Sequence, residues 1–172
     1  PGLGPFTMGP RAEAKMEARS GKVPNWYLDV SLLNKYWGSD RVYHHTAPVN
    51  MNFGMREALR LLAEEGLDQA WARHRRNAEA LWSGMEGLGL TMHVPYERRL
   101  PTLTTVRIPD GVDGKAFSQH LLNTHGIEVG GGLGSLAGKI WRIGLMGFNS
   151  TPENVNPVSY THLRAHETSY DL

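Results

Sequence analysis

The arginine of the segment "IWRIG", Arg142, follows a glycine-rich stretch, "GGGLGSLAGK", and together they form the pattern with the clearest chemical meaning. The glycines are not a P-loop, because Gly134 stands only four positions before Gly138 and Ile140 replaces the hydroxyl residue. They are not a dinucleotide loop either, since serine or alanine falls where the last glycine belongs. An arginine beside a glycine-lined backbone, which a small ligand can approach closely, can hold a carboxylate through two hydrogen bonds. The pattern predicts either such a site or an ion pair between Arg142 and Glu128.

A second group of polar side chains is "YHHT", Tyr43 to Thr46, in a polar stretch that ends at Pro48 and indicates a loop. Two neighbouring imidazoles rarely bind one metal ion without further ligands, and no His, Asp or Glu accompanies them at ligand spacing. The tyrosine and threonine hydroxyls can instead donate to an anion. The remaining alternative is a turn whose histidines are satisfied by nearby backbone. No metal site is predicted here.

Two further groups of basic residues have simpler explanations. The segment "RHRR", Arg73 to Arg76, falls on a predicted helix and indicates a solvated face rather than a nucleic-acid site. His162 and His166 lie four residues apart, which would bring them together on a helix, but they occupy a tail that looks foreign to the domain. Neither zinc nor nucleic acid is predicted as a ligand.

Apolar spacing predicts the helices of the first half of the chain. One helix is expected over "WYLDVSLLNKYWG", with Trp26 and Trp37 on a buried face, and another from Met51 to Glu65. A third is expected to be capped by Asp68 and to end at Gly89. Its predicted core face carries Trp71, Ala78, Leu81, Trp82, Met85 and Leu88.

Strands and helices alternate in the second half of the chain. Alternating or β-branched residues predict strands at "LTMHV", "LTTVRI", "IEV" and "KIWRIGL", and a helix is expected over "DGKAFSQHLLNTHG". One more helix is predicted to begin either with a capping box of Ser150 and Glu153 or with Thr151 as cap and Pro152 at the first helical position.

Length and composition exclude several classes of protein. The 172 residues, 40% of them hydrophobic, suffice for one domain or for one small domain plus part of another. The 18 basic and 17 acidic side chains give a net charge of +1, which provides no electrostatic case for nucleic acid or an anionic membrane. The absence of cysteine excludes disulfides and thiolate chemistry, and no apolar run approaches the roughly 20 residues of a bilayer span. Because the chain begins with Pro1 rather than Met, it is expected to be a fragment.

Several segments together resemble one family. "YHHTAPVN", "REALRLLAEEGL", "LPTLTTVRIP", "GIEVGGGLG" and "GKIWRIGLMGFNSTPENV" are similar, in the same order, to the carboxy-terminal part of the alanine-glyoxylate and serine-pyruvate aminotransferases, which are class V enzymes dependent on pyridoxal 5'-phosphate. The resemblance implies an α/β chain forming the C-terminal part of a fold-type I transferase. Residues 1–65 would end the large cofactor domain with its connecting helix, and residues 66–156 would form the small C-terminal α/β domain.

The resemblance also implies roles for three residues. Arg142 would bind the substrate carboxylate, while Tyr43 and Thr46 would bind the phosphate of the cofactor in the neighbouring subunit of a homodimer. The implied reaction moves an amino group from alanine or serine to glyoxylate or pyruvate. No catalytic residue is assigned, because no lysine of the chain stands in the serine-containing motif of the Schiff-base lysine, and the chain alone is expected to be inactive. A non-enzymatic binding module derived from the small domain is the alternative.

Residues 157–172 depart from the family pattern. Pro157 interrupts the expected amphipathic helix, and "SYTHLRAHET" resembles a peptide that recurs at the ends of unrelated transcriptome-derived sequences. This tail is therefore expected to be an artefact rather than part of the domain. The family implies an intracellular enzyme, peroxisomal or mitochondrial in a eukaryote and cytoplasmic in a bacterium, that acts on small amino acids and 2-oxo acids and binds neither nucleic acid nor a membrane.

Overall fold

Two structural units make up the chain, one ending at Glu64 and the other beginning at Glu65. They are seen in a computed structural model that describes residues 2–156. The tail, with His162 and His166, lies outside the described residues. No helix within the described part of the chain is long and apolar enough to cross a membrane.

The first unit is built from helices whose starts follow from local sequence. Helix α1, Pro10–Glu17, has proline in its first turn, where the missing N–H costs nothing. Helix α2, Val30–Trp37, is capped by Asp29, whose carboxylate accepts hydrogen bonds from the Ser31 backbone N–H and hydroxyl. Helix α3, Val49–Glu65, forms the rest of the unit, and its last residue begins the second unit.

The prediction of one buried helix over residues 26–38 is wrong in two respects. Trp26–Leu28 form a separate 3-10 turn, because Asn25 caps it and Asp29 interrupts the helical backbone with extended dihedral angles. The expected core face is open: Trp26 is 55% exposed and Trp37 is 61% exposed. No residue of α2 or α3 is buried, so the first unit presents much of its apolar surface to solvent.

The long helix of the second unit is α4, Leu67–Gly87. Gly66 precedes it with φ of +85°, a conformation that favours glycine, and so separates α4 from α3 as the sequence predicts. Asp68 lies in the first turn rather than at the cap position predicted for it. Gly89, with φ of +76°, follows the end of the helix.

The buried face of α4 matches the prediction except at Trp71, which is 65% exposed, and at Leu88, which is half-buried and follows the end of the helix. The prediction is wrong at Trp71 because the first turns of α4 are held through the neighbouring positions on the helix surface, which bond to residues 147–150. The buried residues of α4 are Ala70, Asn77, Ala78, Leu81, Trp82 and Met85.

The sheet of the second unit has three antiparallel strands in the order β1-β3-β2. The strands are β1, Leu103–Arg107, β2, Gly130–Gly131, and β3, Ile140–Gly144. Helix α5, Gly114–His125, joins β1 to β2 and is capped by Asp113. The core cluster comprises Leu81, Met85, Val106, Trp141, Ile143, Leu145 and Val155.

Two of the four predicted strands are confirmed, at "LTTVRI" and "KIWRIGL", as is the helix between the second and third. The segment "LTMHV" is not a strand, since it meets β1 only at an isolated bridge between Met92 and Val106. The segment "IEV" is not a strand either, because Ile127 donates its N–H to the Leu121 carbonyl at the end of α5. Pairing resumes at β2.

The last helical residues, 152–156, begin as the second of the two alternatives predicts. The Thr151 hydroxyl accepts a hydrogen bond from the Asn154 N–H at 3.3 Å, and Pro152 takes the first helical position. Ser150 is fully buried and bonds to Asn77 instead of forming a capping box.

Arg73 ties α4 to the segment that follows β3. Its Nη1 donates to the carbonyls of Gly147 and Ser150 at 2.9 and 2.8 Å, and its Nε and Nη2 bond to the Glu65 carboxylate. These hydrogen bonds hold the pKa of the Glu65 carboxyl below its usual range. Asn77 donates to the Ser150 carbonyl at 2.7 Å beside them.

The prediction of a solvated face for "RHRR" is therefore wrong for Arg73 and His74. The Ala70 carbonyl lies 2.7 Å from His74 Nδ1, and His74 Nε2 accepts the Gly147 N–H at 3.0 Å. Since a carbonyl only accepts, Nδ1 carries the hydrogen and His74 is neutral in this geometry. The prediction holds for Arg75, which is exposed and paired with Glu79 on the same helix.

We expect Trp82→Phe to destabilise the second unit. Trp82 is 1% exposed and donates its indole N–H to the buried Thr104 hydroxyl at 2.8 Å. Phenylalanine removes that donor and leaves the hydroxyl buried without it, at a cost of about 1 to 3 kcal/mol. Urea unfolding followed by far-UV circular dichroism measures the change. Trp71→Phe on the same helix is the control, and equal shifts for both variants would contradict the role of the hydrogen bond.

Candidate functional site

Arg142 lies in the middle of β3, the central strand. Its register partners are Thr105 on β1 and Gly130 on β2. The guanidinium donates from Nε to the Gly131 carbonyl at 2.6 Å. Among residues 2–156 its Nη1 and Nη2 have no hydrogen-bond or ion-pair partner, and the alternative of an ion pair with Glu128 is not formed. The two terminal nitrogens remain available as a fork.

The glycines of the loop before β3 are needed mainly for the turns of the loop itself and for the close approach of the Arg142 guanidinium. A Cβ at Gly132 would lie 2.0 Å from the Leu136 carbonyl oxygen. Gly134 and Gly138 have φ of +55° and +70°, which other residues adopt at a cost. A Cβ at Gly130 would lie 3.3 Å from Arg142 Nη2. The sequence analysis expected a ligand to approach the glycine-lined backbone closely. At Gly130, the group that approaches the backbone closely is the Arg142 guanidinium.

Tyr43 and Thr46 lie together in the loop between α2 and α3 of the first unit. Their hydroxyl oxygens are 3.0 Å apart, and Tyr43 is 68% exposed. Each hydroxyl has one hydrogen to donate and lone pairs to accept. The structure therefore brings these two predicted residues into one small polar site, while Arg142 belongs to the second unit.

His44 and His45, which lie between Tyr43 and Thr46 in the chain, belong to an aromatic cluster that the sequence analysis missed. His44 is buried and stacks on Trp26 with ring centroids 4.2 Å apart, and His45 lies edge-on to Tyr27. Nothing in the local sequence signals these contacts, because Trp26 is 18 residues away from His44. Within residues 2–156, no three His, Asp or Glu side chains converge to hold a metal ion.

The available donors decide which ligand groups fit. The Tyr43 and Thr46 hydroxyls hydrogen-bond to each other at 3.0 Å, so one hydrogen of the two can donate to a phosphate oxygen in this geometry, and the second can do so once that bond opens. The free terminal nitrogens of Arg142 match the two oxygens of a carboxylate. The chemistry of both donor sets therefore fits small anionic ligands.

Comparisons with known proteins agree on one family. The model of the family described as "Aminotransferase class-V" matches residues 20–158. The alanine–glyoxylate aminotransferase of Callithrix jacchus is 43% identical over 92% of this chain and 39% of its own length. The solved structure of alanine–glyoxylate aminotransferase from Nostoc sp. has a TM-score of 0.86 and 62% identity, covering 92% of this chain and 43% of its own.

A third relative extends the range of named amino donors. The structure of ureidoglycine–glyoxylate aminotransferase from Bacillus subtilis has a TM-score of 0.83 and 38% identity, covering 90% of this chain and 41% of its own. The similarity confirms the α/β fold predicted from the family resemblance. The chain spans 39 to 43% of the length of these relatives.

We expect Gly132→Ala to destabilise the loop before β3. The added Cβ meets a backbone oxygen, so the loop must move, at a cost of about 1 to 3 kcal/mol by analogy with overpacked cores. Gly131→Ala is the matched control, because a Cβ there meets nothing within 4 Å. Urea unfolding midpoints of the two variants are compared, and similar values would show that the close approach is not a constraint.

Proposed function

The chain belongs to the class V aminotransferase family, and from this premise we propose that it is part of an enzyme that moves an amino group from a small amino acid to a 2-oxo acid. The observation that carries the proposal is the free guanidinium fork of Arg142. Every amino-acid substrate and every 2-oxo-acid product of such a reaction has a carboxylate. A fork fixed through Nε to the Gly131 carbonyl would hold that carboxylate in one orientation.

For the substrates we propose alanine or serine as amino donor and glyoxylate or pyruvate as acceptor. The names of the three relatives share glyoxylate, while the amino donor is alanine in two of them and ureidoglycine in the third. Small donors and acceptors have little beyond the carboxylate for a protein to recognise. We therefore expect Arg142 to contribute a large part of substrate binding.

The cofactor of the proposed enzyme is pyridoxal 5'-phosphate. When bound, it withdraws electrons from the α-carbon of the amino acid. In our proposal the Tyr43 and Thr46 hydroxyls donate to its phosphate, which belongs to the other subunit of a homodimer. Their separation of 3.0 Å supports this role, since it allows both to reach one phosphate group.

We further propose that the first unit ends the large cofactor domain and that the second is the small domain. No lysine of the chain lies in the serine-containing motif that bears the cofactor, so the chain alone would be inactive. The alternative is a non-enzymatic binding module. It is favoured by the separate core of the second unit, which includes Trp141 and Leu81.

Reading the sequence upstream of the chain distinguishes the two candidates. An in-frame continuation with a lysine in a serine-containing motif supports the enzyme. A start codon close to Pro1 contradicts it and favours the binding module.

The exposed apolar surface gives a second, biochemical distinction. In the proposed enzyme, the open side chains of the first unit, such as Trp37 and Phe53, are covered by the remainder of the protein or by the partner subunit. The isolated chain should then aggregate or bind a hydrophobic dye. A soluble monomer with a sharp unfolding transition and no dye binding would show that the surface needs no cover.

We expect Arg142→Lys to impair the reaction with alanine or serine in the complete enzyme. Lysine keeps the charge but loses the planar fork. Removal of such a contact costs about 1.5 to 3 kcal/mol, or roughly tenfold to more than a hundredfold in affinity. Half-reaction rates at subsaturating substrate measure the loss. Arg76→Lys, at an exposed position of α4, is the control.

Tyr43→Phe and Thr46→Ala should have a different effect. They should increase cofactor dissociation while leaving substrate affinity of the loaded enzyme nearly unchanged, because they remove donors to phosphate only. Both quantities are measured for each variant in one experiment. If Arg142→Lys reacted as the parent enzyme does, the carboxylate role of Arg142 would be contradicted. If both loop variants retained the cofactor as the parent does, the phosphate role of Tyr43 and Thr46 would be contradicted.

A further inference from the structure

The two histidines of the loop, His44 and His45, have no part in the function proposed so far. Their rings are joined by a hydrogen bond between the two Nδ1 atoms at 2.8 Å. His44 is only 6% exposed, lies nearly parallel to the Trp26 ring at an interplanar angle of 22°, and has its Nε2 at 3.1 Å from the Trp26 carbonyl. The loop is therefore attached to the turn that carries Trp26.

These contacts determine where the hydrogens lie. A carbonyl only accepts, so the hydrogen of the bond to Trp26 is on His44 Nε2. In a neutral imidazole the other nitrogen is then an acceptor. The hydrogen between the rings must come from His45 Nδ1. Both tautomers follow from the hydrogen bond between His44 Nε2 and the Trp26 carbonyl.

His45 is the half of the pair that keeps one ring nitrogen unpaired within the described part of the chain. Its Nε2 has no hydrogen-bond partner among residues 2–156. The titratable groups packed around the pair are the phenols of Tyr27 and Tyr36 and the carboxylate of Asp29. The Asp29 pKa is lowered, mainly by the Ser31 hydroxyl and to a smaller extent by His44.

His45 is also linked to the tyrosine of the site. The Tyr36 ring contacts His45 at 5.6 Å between centroids and contacts Tyr43 edge-on at 5.8 Å. A shift of the His45 ring would therefore disturb the support of the Tyr43 ring. Because His44 and His45 also separate Tyr43 from Thr46 along the chain, their position sets where the two hydroxyls lie.

We propose that His44 and His45 act as one positioning unit for the Tyr43 and Thr46 hydroxyls, which holds through its first protonation and opens at its second. The inference rests on the proposed phosphate-binding role of those hydroxyls. One extra proton leaves one hydrogen between the two Nδ1 atoms, whichever ring carries the charge. Two extra protons place N–H against N–H and break the bond.

Substitutions of His45 separate the effect of its Nδ1–H donor from the effect of its protonation. They leave the buried His44 ring in place. His45→Asn keeps an N–H donor near the Nδ1 position but cannot be protonated. His45→Ala removes both. In the complete enzyme at neutral pH, we expect the asparagine variant to retain the cofactor as the parent does. The alanine variant should lose it about tenfold faster, as expected for one lost hydrogen bond. His120→Asn, at an exposed position of α5, is the control.

The pH dependence of cofactor dissociation tests the shared proton. In the parent two added protons place N–H against N–H, while in His45→Asn the amide can turn its Oδ1 toward a protonated His44 Nδ1 and accept its hydrogen. Retention should therefore persist to a lower pH in the asparagine variant than in the parent, with the KM for the amino donor unchanged. Identical acid profiles, or an asparagine variant that behaves as alanine does at neutral pH, would overturn the proposal.

The imidazole nitrogens of the complete enzyme can be observed in its cofactor-free form. Their ¹⁵N shifts in nuclear magnetic resonance should report hydrogen on His44 Nε2 and on His45 Nδ1, with His45→Asn used for assignment. Hydrogen on His44 Nδ1 in the neutral state would refute the pair. If the complete enzyme bound no pyridoxal 5'-phosphate, the proposed function would fail, and these shifts would still decide the state of the pair.

Discussion

The burial of Trp141 and Ile143 in the core is the constraint on which the second unit depends. Both side chains belong to the core cluster, and the Trp141 indole donates to the Gly114 carbonyl at 3.0 Å, which fixes the strand against α5. Side chains alternate along a strand, so Arg142 between them must project from the opposite face. The same packing that stabilises the unit therefore keeps the guanidinium out of the core, and its Nε bond to Gly131 limits how it can turn.

Polar contacts hold the segment that follows β3 in the second unit. The segment after β3 would be an ordinary surface turn if Arg73, His74 and Asn77 did not bond to its backbone at Gly147 and Ser150. Such bonds matter because the Ser150 group is buried, and a buried carbonyl without a donor is costly. The Arg73 guanidinium also pairs with Glu65, which lowers the Glu65 pKa. This contribution is present above the usual carboxylate range and is lost as the pH falls through the lowered value.

The first unit differs from the second, because contacts between aromatic rings rather than a closed hydrophobic core hold its segments together. Trp26, Tyr27, Tyr36 and the two histidines contact one another, while α2 and α3 bury no residue. Its exposed apolar side chains agree with the proposal that it is one part of a larger domain. Within that arrangement a single carbonyl, that of Trp26, sets the tautomers of the histidine pair.

The sequence by itself determined the family and the α/β class, together with the main helix, the two longer strands and the residues Arg142, Tyr43 and Thr46 as candidates. These follow from local spacing, capping and residue type, which the chain carries wherever it folds. Only the tertiary structure decided that Trp71 is exposed, that Arg73 binds backbone, and that His44 stacks on Trp26. Helical periodicity identifies an apolar stripe, but it cannot say how far the opposing elements extend along it. Contacts between residues 18 or 77 positions apart depend on how the chain returns to itself, which no local pattern encodes.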